Sequence, residues 1–187
     1  MNSFAFWSPT KVVFGKDTAR QAGGEVKFFG GTNALVIYGG GSAVSSGVLG
    51  TVTKSLAAAG VGYLCVGGVQ PNPLAEYAQW IVDENRGKGM DFVLGVGGGS
   101  VIDTAKAAAH GLKTPDIPIW DYHDRKEEVK SSLPIGAIVT IAAAGSETSD
   151  SAVLTNQAIG VRSAKQIGNQ MMTLSKMALV YYQHTQA

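Results

Sequence analysis

Three stretches of this sequence end an apolar run in glycines and small hydroxyl side chains, a pattern suited to holding an anion through main-chain amides. Gly97-Gly98-Gly99-Ser100 follows the run Phe92–Val96, Gly39-Gly40-Gly41-Ser42 follows Ala34–Tyr38, and Thr140–Glu147 (TIAAAGSE) closes the run that starts at Ile135. Where a strand turns into a helix, backbone N–H groups and the positive end of the helix dipole converge, and glycines remove the Cβ atoms that would keep a phosphate away. The 97–100 turn is thus a candidate cradle for a phosphate or pyrophosphate, the alternative being a plain strand-to-helix turn. It is not a P-loop, because no Gly-Lys-Ser/Thr follows. Nor is it the full dinucleotide fingerprint, because Ser100 takes the third glycine's place in Gly95–Ser100. At 39–42 no carboxylate stands where a Rossmann-type protein often grips the ribose 2′-hydroxyl. A dinucleotide bound there would be NADP in preference to NAD; a hinge turn without ligand is the competing reading. Thr140–Glu147 could admit a flat ring or ribose, or simply pack a helix closely.

Other candidate residues carry less. Asp103 and Lys106, three apart on one helical face, have an exposed salt bridge worth about 0.2–0.5 kcal/mol as their ordinary explanation. His110, His123 and His184 show no HxxxH or HxxE spacing, and read as caps, surface residues or satisfied partners rather than metal ligands. Gly145-Ser146-Glu147 lacks the Gly-x-Ser-x-Gly of a nucleophile elbow. Cys65, the single cysteine, excludes an intramolecular disulfide and a cysteine-based zinc site, and within a strand it reads as a small buried hydrophobe.

The elements that must position these turns follow from periodicity. Lys11–Phe14, Ala34–Tyr38, Tyr63–Val66, Phe92–Val96 and Ile135–Ile141 are strand-length and, Lys11 and Thr140 aside, without polar side chains other than tyrosine, as expected of parallel strands covered on both faces. Helices are predicted over Val48–Ala59, stopped by Gly60, over Leu74–Gly87 after Pro71-Asn72-Pro73, and over Val101–His110, with Ser100 as N-cap and Gly111 as stop. In the second of these Tyr77, Trp80 and Ile81 share a face. Residues 111–133 are expected to cross the surface. Strand, glycine turn, helix, strand is the grammar of an α/β fold: a doubly wound, mainly parallel sheet of Rossmann-like type with flanking helices. The 187 residues read as one domain. With 15 Lys+Arg against 14 Asp+Glu, the chain lacks the electrostatic footprint of a nucleic-acid binder. No basic segment precedes an apolar stretch at the start and no run approaches a membrane span, so a cytoplasmic protein is expected.

Taken together and in order, Phe4–Gly15 (FAFWSPTKVVFG), Tyr38–Ser42 (YGGGS), Pro71-Asn72-Pro73, Gly97–Lys106 (GGGSVIDTAK) and Thr140–Glu147 resemble the iron-containing, group III alcohol dehydrogenases. Within them, the Tyr38–Ser42 loop is similar to that of the butanol dehydrogenase and NADPH-dependent aldehyde reductase branch. The resemblance implies an N-terminal dinucleotide-binding α/β domain, an all-helical C-terminal domain, and an active site between them. It implies that Gly97, Gly98, Gly99 and Ser100 hold the pyrophosphate with Asp103 nearby, that Gly39, Gly40 and Ser42 form the adenosine-ribose loop, that Thr140 lies near the adenine and ribose, and that Ala144 stands where a threonine hydroxyl would face the cofactor. A family threonine is replaced by Ala144, and a family lysine near the nicotinamide ribose is matched by Arg162, with Lys165 close by. Iron or another divalent metal in the full-length family would polarise the substrate oxygen. Its ligands follow the segment that Met177–Val180 matches, and Tyr181-Tyr182 stand where the connecting turn is expected.

The expectation is therefore an N-terminal dinucleotide-binding domain over 1–187, without the metal-binding half and inactive by itself in hydride transfer between a nicotinamide and a primary alcohol or aldehyde. A non-catalytic nucleotide-binding or regulatory module, and a glycerol dehydrogenase or dehydroquinate-synthase-like member of the superfamily, are the alternatives. Partners are a nicotinamide dinucleotide and either the missing C-terminal domain or a second copy of the chain, since an uncovered apolar cleft invites association. Sedimentation at several concentrations tests the last point: the expected outcome is a mass that rises with concentration.

Overall fold

The computed structural model describes residues 10–141, 145–166 and 177–181. Six strands form one wholly parallel sheet in the order β1-β8-β5-β4-β2-β3: β1 (Lys11–Gly15), β2 (Asn33–Gly39), β3 (Gly62–Val69), β4 (Phe92–Gly97), β5 (Ile135–Val139) and β8 (Met177–Tyr181). Helices cover both faces. Alternation along the central strands decides which: Ala34 and Val36 of β2 and Phe92 and Leu94 of β4 pack with Ala22 and Val26 of α1 (Ala22–Phe28) and Val48, Val52 and Leu56 of α3 (Val48–Ala58). Leu35, Ile37 and Val93 point the opposite way, onto Ile81 of α4 (Ala75–Asn85) and Val101, Ala105, Ala108 and Ala109 of α5 (Gly99–Lys113). A 3-10 turn (Thr18–Gln21), two short helices, α2 (Ser42–Ser45) and α6 (Ile119–His123), and an antiparallel hairpin of β6 (Ser151–Asn156) and β7 (Val161–Gln166) complete the described structure. No helix among the described residues is long and apolar enough to cross a membrane.

Helix α3 ends as its sequence predicts. Gly60 takes a left-handed φ of 70°, its N–H reaches the Ala57 carbonyl, and the N–H of Val61 reaches that of Leu56, the paired bonds of a Schellman stop. The start of the sheet is pinned by Asp91, whose carboxylate accepts the N–H groups of Thr32 and Asn33 and the Thr32 hydroxyl, tying β2 to the entry of β4.

Several expectations are corrected. Helix α5 runs through Gly111 to Lys113, and Gly98, not Ser100, is its N-cap. Gly111 is a packing glycine: a Cβ there would lie 2.6 Å from Val82 Cγ2, so its small size lets α5 lie against α4. The 111–133 segment holds the end of α5 and α6 besides surface chain, and the hairpin went unpredicted. Burial on both faces holds for β2, β4 and β5 but not for the sheet edges, where Val12, Tyr63 and Leu64 are exposed. Cys65, on edge strand β3, is likewise exposed rather than buried. On α4 the inward face is Ala78, Ile81, Val82 and Asn85, while Trp80 stacks on Tyr77 and stays nearly half exposed. His110 is buried, with Nδ1 2.6 Å from the Ser131 carbonyl and its ring edge-on to Tyr122; burial holds its pKa below the usual value. His184 lies outside the described residues.

Helices α1 and α3 meet at close range. A Cβ on Gly23 would stand 2.1 Å from the Ser55 carbonyl oxygen, whereas one on Gly24 would meet nothing within 4 Å. Gly23→Ala is expected to destabilise by about 1–3 kcal/mol through forced separation of the helices. Gly24→Ala is expected to be stabilising by about 0.5–1 kcal/mol through helix propensity. Thermal or urea denaturation of the two variants reads the opposite signs.

Candidate functional site

The three glycine-bearing turns lie at the C-terminal ends of β2, β4 and β5, neighbours in the sheet. At the centre, β4 ends at Gly97 and α5 begins at Gly99. A Cβ on Gly97 would lie 2.6 Å from Val101 Cγ2, so only glycine lets the strand end meet the first helical turn this closely. Gly98 is extended (φ −90°, ψ −170°), and its carbonyl accepts the N–H groups of Val101 and Ile102 at 3.0 and 3.1 Å. No side chain caps the helix, and a Cβ built on Gly98 would meet nothing within 4 Å. Among the described residues no side chain hydrogen-bonds as a cap to this helix start, which is the positive end of a fifteen-residue helix.

On one side, Thr140 is held by its N–H donating to the Gly97 carbonyl (3.1 Å), while its hydroxyl is buried without a hydrogen-bond partner. On the other, Gly39 ends β2 beside Val101, Gly40 and Gly41 are flanked by open space, and Ser42 begins α2 at the surface. The structure therefore gathers Gly97, Gly98, Gly99, Ser100, Asp103 and Thr140, with Gly39, Gly40 and Ser42 at the next strand end. Ala144 lies outside the described residues.

The hairpin supplies a wall that the sequence did not announce. A cleft of about 360 Å³ runs between Gly99, Ser100 and Asp103 of α5 and Ser146, Ser149, Ser151, Val153 and Arg162, with Pro73 at its rim. Pro73 is placed there by backbone pairing: its carbonyl accepts the Thr155 N–H at 2.8 Å, and Leu74 bridges to Thr155. Glu76 accepts the N–H groups of Gln157 and Ala158 in the hairpin turn. Alternating burial of Ala152 and Leu154, with the Gln157–Gly160 turn, is the sequence signal that could have located the hairpin.

Asp103 and Lys106 do not form the exposed pair that their spacing suggests. Lys106 is fully buried, its Nζ donating to the Ser151 carbonyl at 2.7 Å and standing 3.9 Å from Asp103 Oδ1. Asp103 Oδ2 accepts the Val153 N–H at 3.2 Å. Burial raises the pKa of Asp103 against the opposing pull of Lys106, the Val153 amide, the Ser146 hydroxyl and Arg162. Burial also lowers that of Lys106 to about 8, although Asp103, Asp150 and Glu147 favour its charged form.

The chain as a whole has counterparts among known proteins. The sequence model of the family described as iron-containing alcohol dehydrogenase matches residues 9–182. The chain belongs to that family. It is 40% identical over 156 residues to a probable NADH-dependent butanol dehydrogenase of Bacillus subtilis, covering 83% of this chain and 40% of that one. It is 36% identical over 166 residues to an NADPH-dependent aldehyde reductase of Escherichia coli, covering 88% and 42%. Among solved structures, the NADH-dependent butanol dehydrogenase A of Thermotoga maritima superposes with a TM-score of 0.91 at 36% identity, over 97% of this chain and 44% of that one. The chain thus spans about two fifths of the length of the curated relatives it matches. The α/β expectation and the resemblance drawn from the glycine motifs both hold.

Lys106 gives this site a pH signature. The unfolded chain keeps that proton to 10.5 and the folded protein releases it at about 8, so between these values the unfolded state binds more protons. This group alone therefore makes the iron-type dehydrogenase chain more stable as pH rises through that window. Urea denaturation at pH 7.5 and 9.5 is expected to show this rise in the wild type and to show it diminished in Lys106→Met.

Proposed function

We propose that this chain is the nicotinamide-dinucleotide-binding domain of an iron-type alcohol dehydrogenase or aldehyde reductase, with NADP favoured over NAD. The observation that carries the reading is the unfilled cradle at Gly98: first-turn amides of α5, open space where a Cβ would stand, and the partnerless Thr140 hydroxyl beside it. These are groups that a pyrophosphate and its ribose would satisfy. In this reading Gly97, Gly98, Gly99 and Ser100 receive the pyrophosphate, Thr140 donates to or accepts from the nucleoside, and Gly39, Gly40 and Ser42 face the adenosine ribose.

When bound, the dinucleotide supplies or accepts the hydride exchanged with a primary alcohol or aldehyde. The protein's part is to hold it against the sheet ends and keep its phosphates on the helix terminus. The preference for NADP rests on the second turn, where Gly40 and Gly41 leave room for a 2′-phosphate and no carboxylate stands to repel it. Relatives of both kinds occur, NADH-dependent and NADPH-dependent. Among the described residues no three His, Cys, Asp or Glu side chains gather to hold a metal ion, so the described residues do not fit the family's iron and no step is assigned to it. The share of the relatives' length that this chain does not match would carry the metal and most of the substrate wall.

Titration of the chain with NADPH and NADH, followed by nicotinamide fluorescence, is expected to show binding of both and tighter binding of NADPH. Absence of binding at millimolar concentrations of either would overturn the reading. Gly98→Ala, whose backbone angles suit any residue, is expected to fold with an unchanged melting temperature. It should bind NADPH about tenfold or more weakly, because the new methyl occupies the approach to the amides.

A further inference from the structure

Two opposite charges lie inside the protein where the cleft meets the hairpin, and only one of them faces the cleft. Asp103 lines it beside Gly99 and Ser100, next to the helix end suited to an anion, and its Oδ1 has no hydrogen-bond partner. A carboxylate so placed repels a phosphate unless its charge is answered. The nearest cation on its own helix is Lys106, fully buried one turn further along, 3.9 Å from that same Oδ1, and outside the cleft lining. The Ser151 carbonyl holds the ammonium from the hairpin side, and the Val153 N–H holds Asp103 Oδ2, so both charges are fixed by one strand, β6.

We infer that Lys106 is a positioning residue: the buried counter-ion that neutralises Asp103 from behind and so leaves the cleft open to a phosphate-bearing nucleotide that Lys106 itself does not touch. The inference rests on the nucleotide reading above and adds to it a task for the lysine. The remaining charges that act on the pair are Asp150 and Glu147, from the segment ahead of β6, on Lys106, and Arg162 of β7 on Asp103. Arg162 also lines the cleft but is largely exposed, so screening weakens its answer to the carboxylate. Because burial lets Lys106 lose its proton at about 8, the counter-charge disappears as pH rises through that value.

The test compares the wild-type chain with Lys106→Met, Asp103→Asn and the double variant, titrated with NADPH at pH 7 and pH 9. Lys106→Met is expected to bind about tenfold or more weakly, and the double variant to return within about threefold of wild type, because the two changes are strongly coupled. The wild type is expected to weaken several-fold from pH 7 to 9, while Asp103→Asn, with no carboxylate to expose, holds its affinity more nearly constant. A double variant as weak as Lys106→Met, or four proteins of equal affinity and equal pH response, overturns the counter-ion inference and leaves the nucleotide reading standing. A wild type that binds no nucleotide overturns that reading, and thermal melts at pH 7 then decide on the counter-ion. Lys106→Met melting below the double variant supports it, and melting at or above it overturns it. Should Lys106→Met not fold, the wild type and Asp103→Asn decide through their pH responses alone.

Discussion

Helix α5 is buried without a break from Val101 to Gly111, so every polar residue it carries must be answered by a neighbour and not by water. The sheet answers the apolar side through β2 and β4, and α4 and α6 lie along its flanks. The hairpin answers the polar side: the Ser151 carbonyl for Lys106 and the Val153 N–H for Asp103. A helix in this position can present to a ligand only its N-terminal end, down to Asp103, because its sides beyond that are occupied. The site is a consequence of where the helix had to go.

Close approach is the means. Gly97 lets β4 meet the first turn of α5, Gly111 lets the far end of α5 meet α4, and Gly23 lets α1 meet α3, each at a separation that a methyl group would break. These glycines differ from Gly98, Gly40 and Gly41, around which there is empty space. The first group is explained by the protein's own packing. The second is not explained by packing, and in the proposed function these are the glycines that face the dinucleotide.

The difference between what could be read from the sequence and what could not follows the same division. The central strands and α3 are local features: continuous apolar runs and a glycine stop suffice to find them, and the cradle is conspicuous because three glycines and a serine follow a strand. The burial of Lys106 is not local. It depends on a carbonyl forty-five positions later, in a hairpin whose strands are only six residues long. The exposure of Cys65 and Tyr63 depends on β3 being a sheet edge, which is a property of strand order and not of the strand's own apolar residues. Gly111 reads as a helix stop because a glycine in a helix usually costs stability, and here its packing against Val82 and Ile119 outweighs that cost.

Strand β8 sits between β1 and β5, although it is the last strand of the described chain. Among the described residues, strand β1 hydrogen-bonds to β8 and to no other strand. During synthesis β1 therefore leaves the ribosome well ahead of β8, its partner among the described strands, which follows about 160 residues later, of the order of 8–30 s at common elongation rates. The four strands β2 to β5 can assemble in that interval, while β1 and the edge of β5 remain open to wrong pairings. Closure of the sheet is thus a late, long-range event, and shielding of an unpaired edge during translation is a demand that this topology places on the cell.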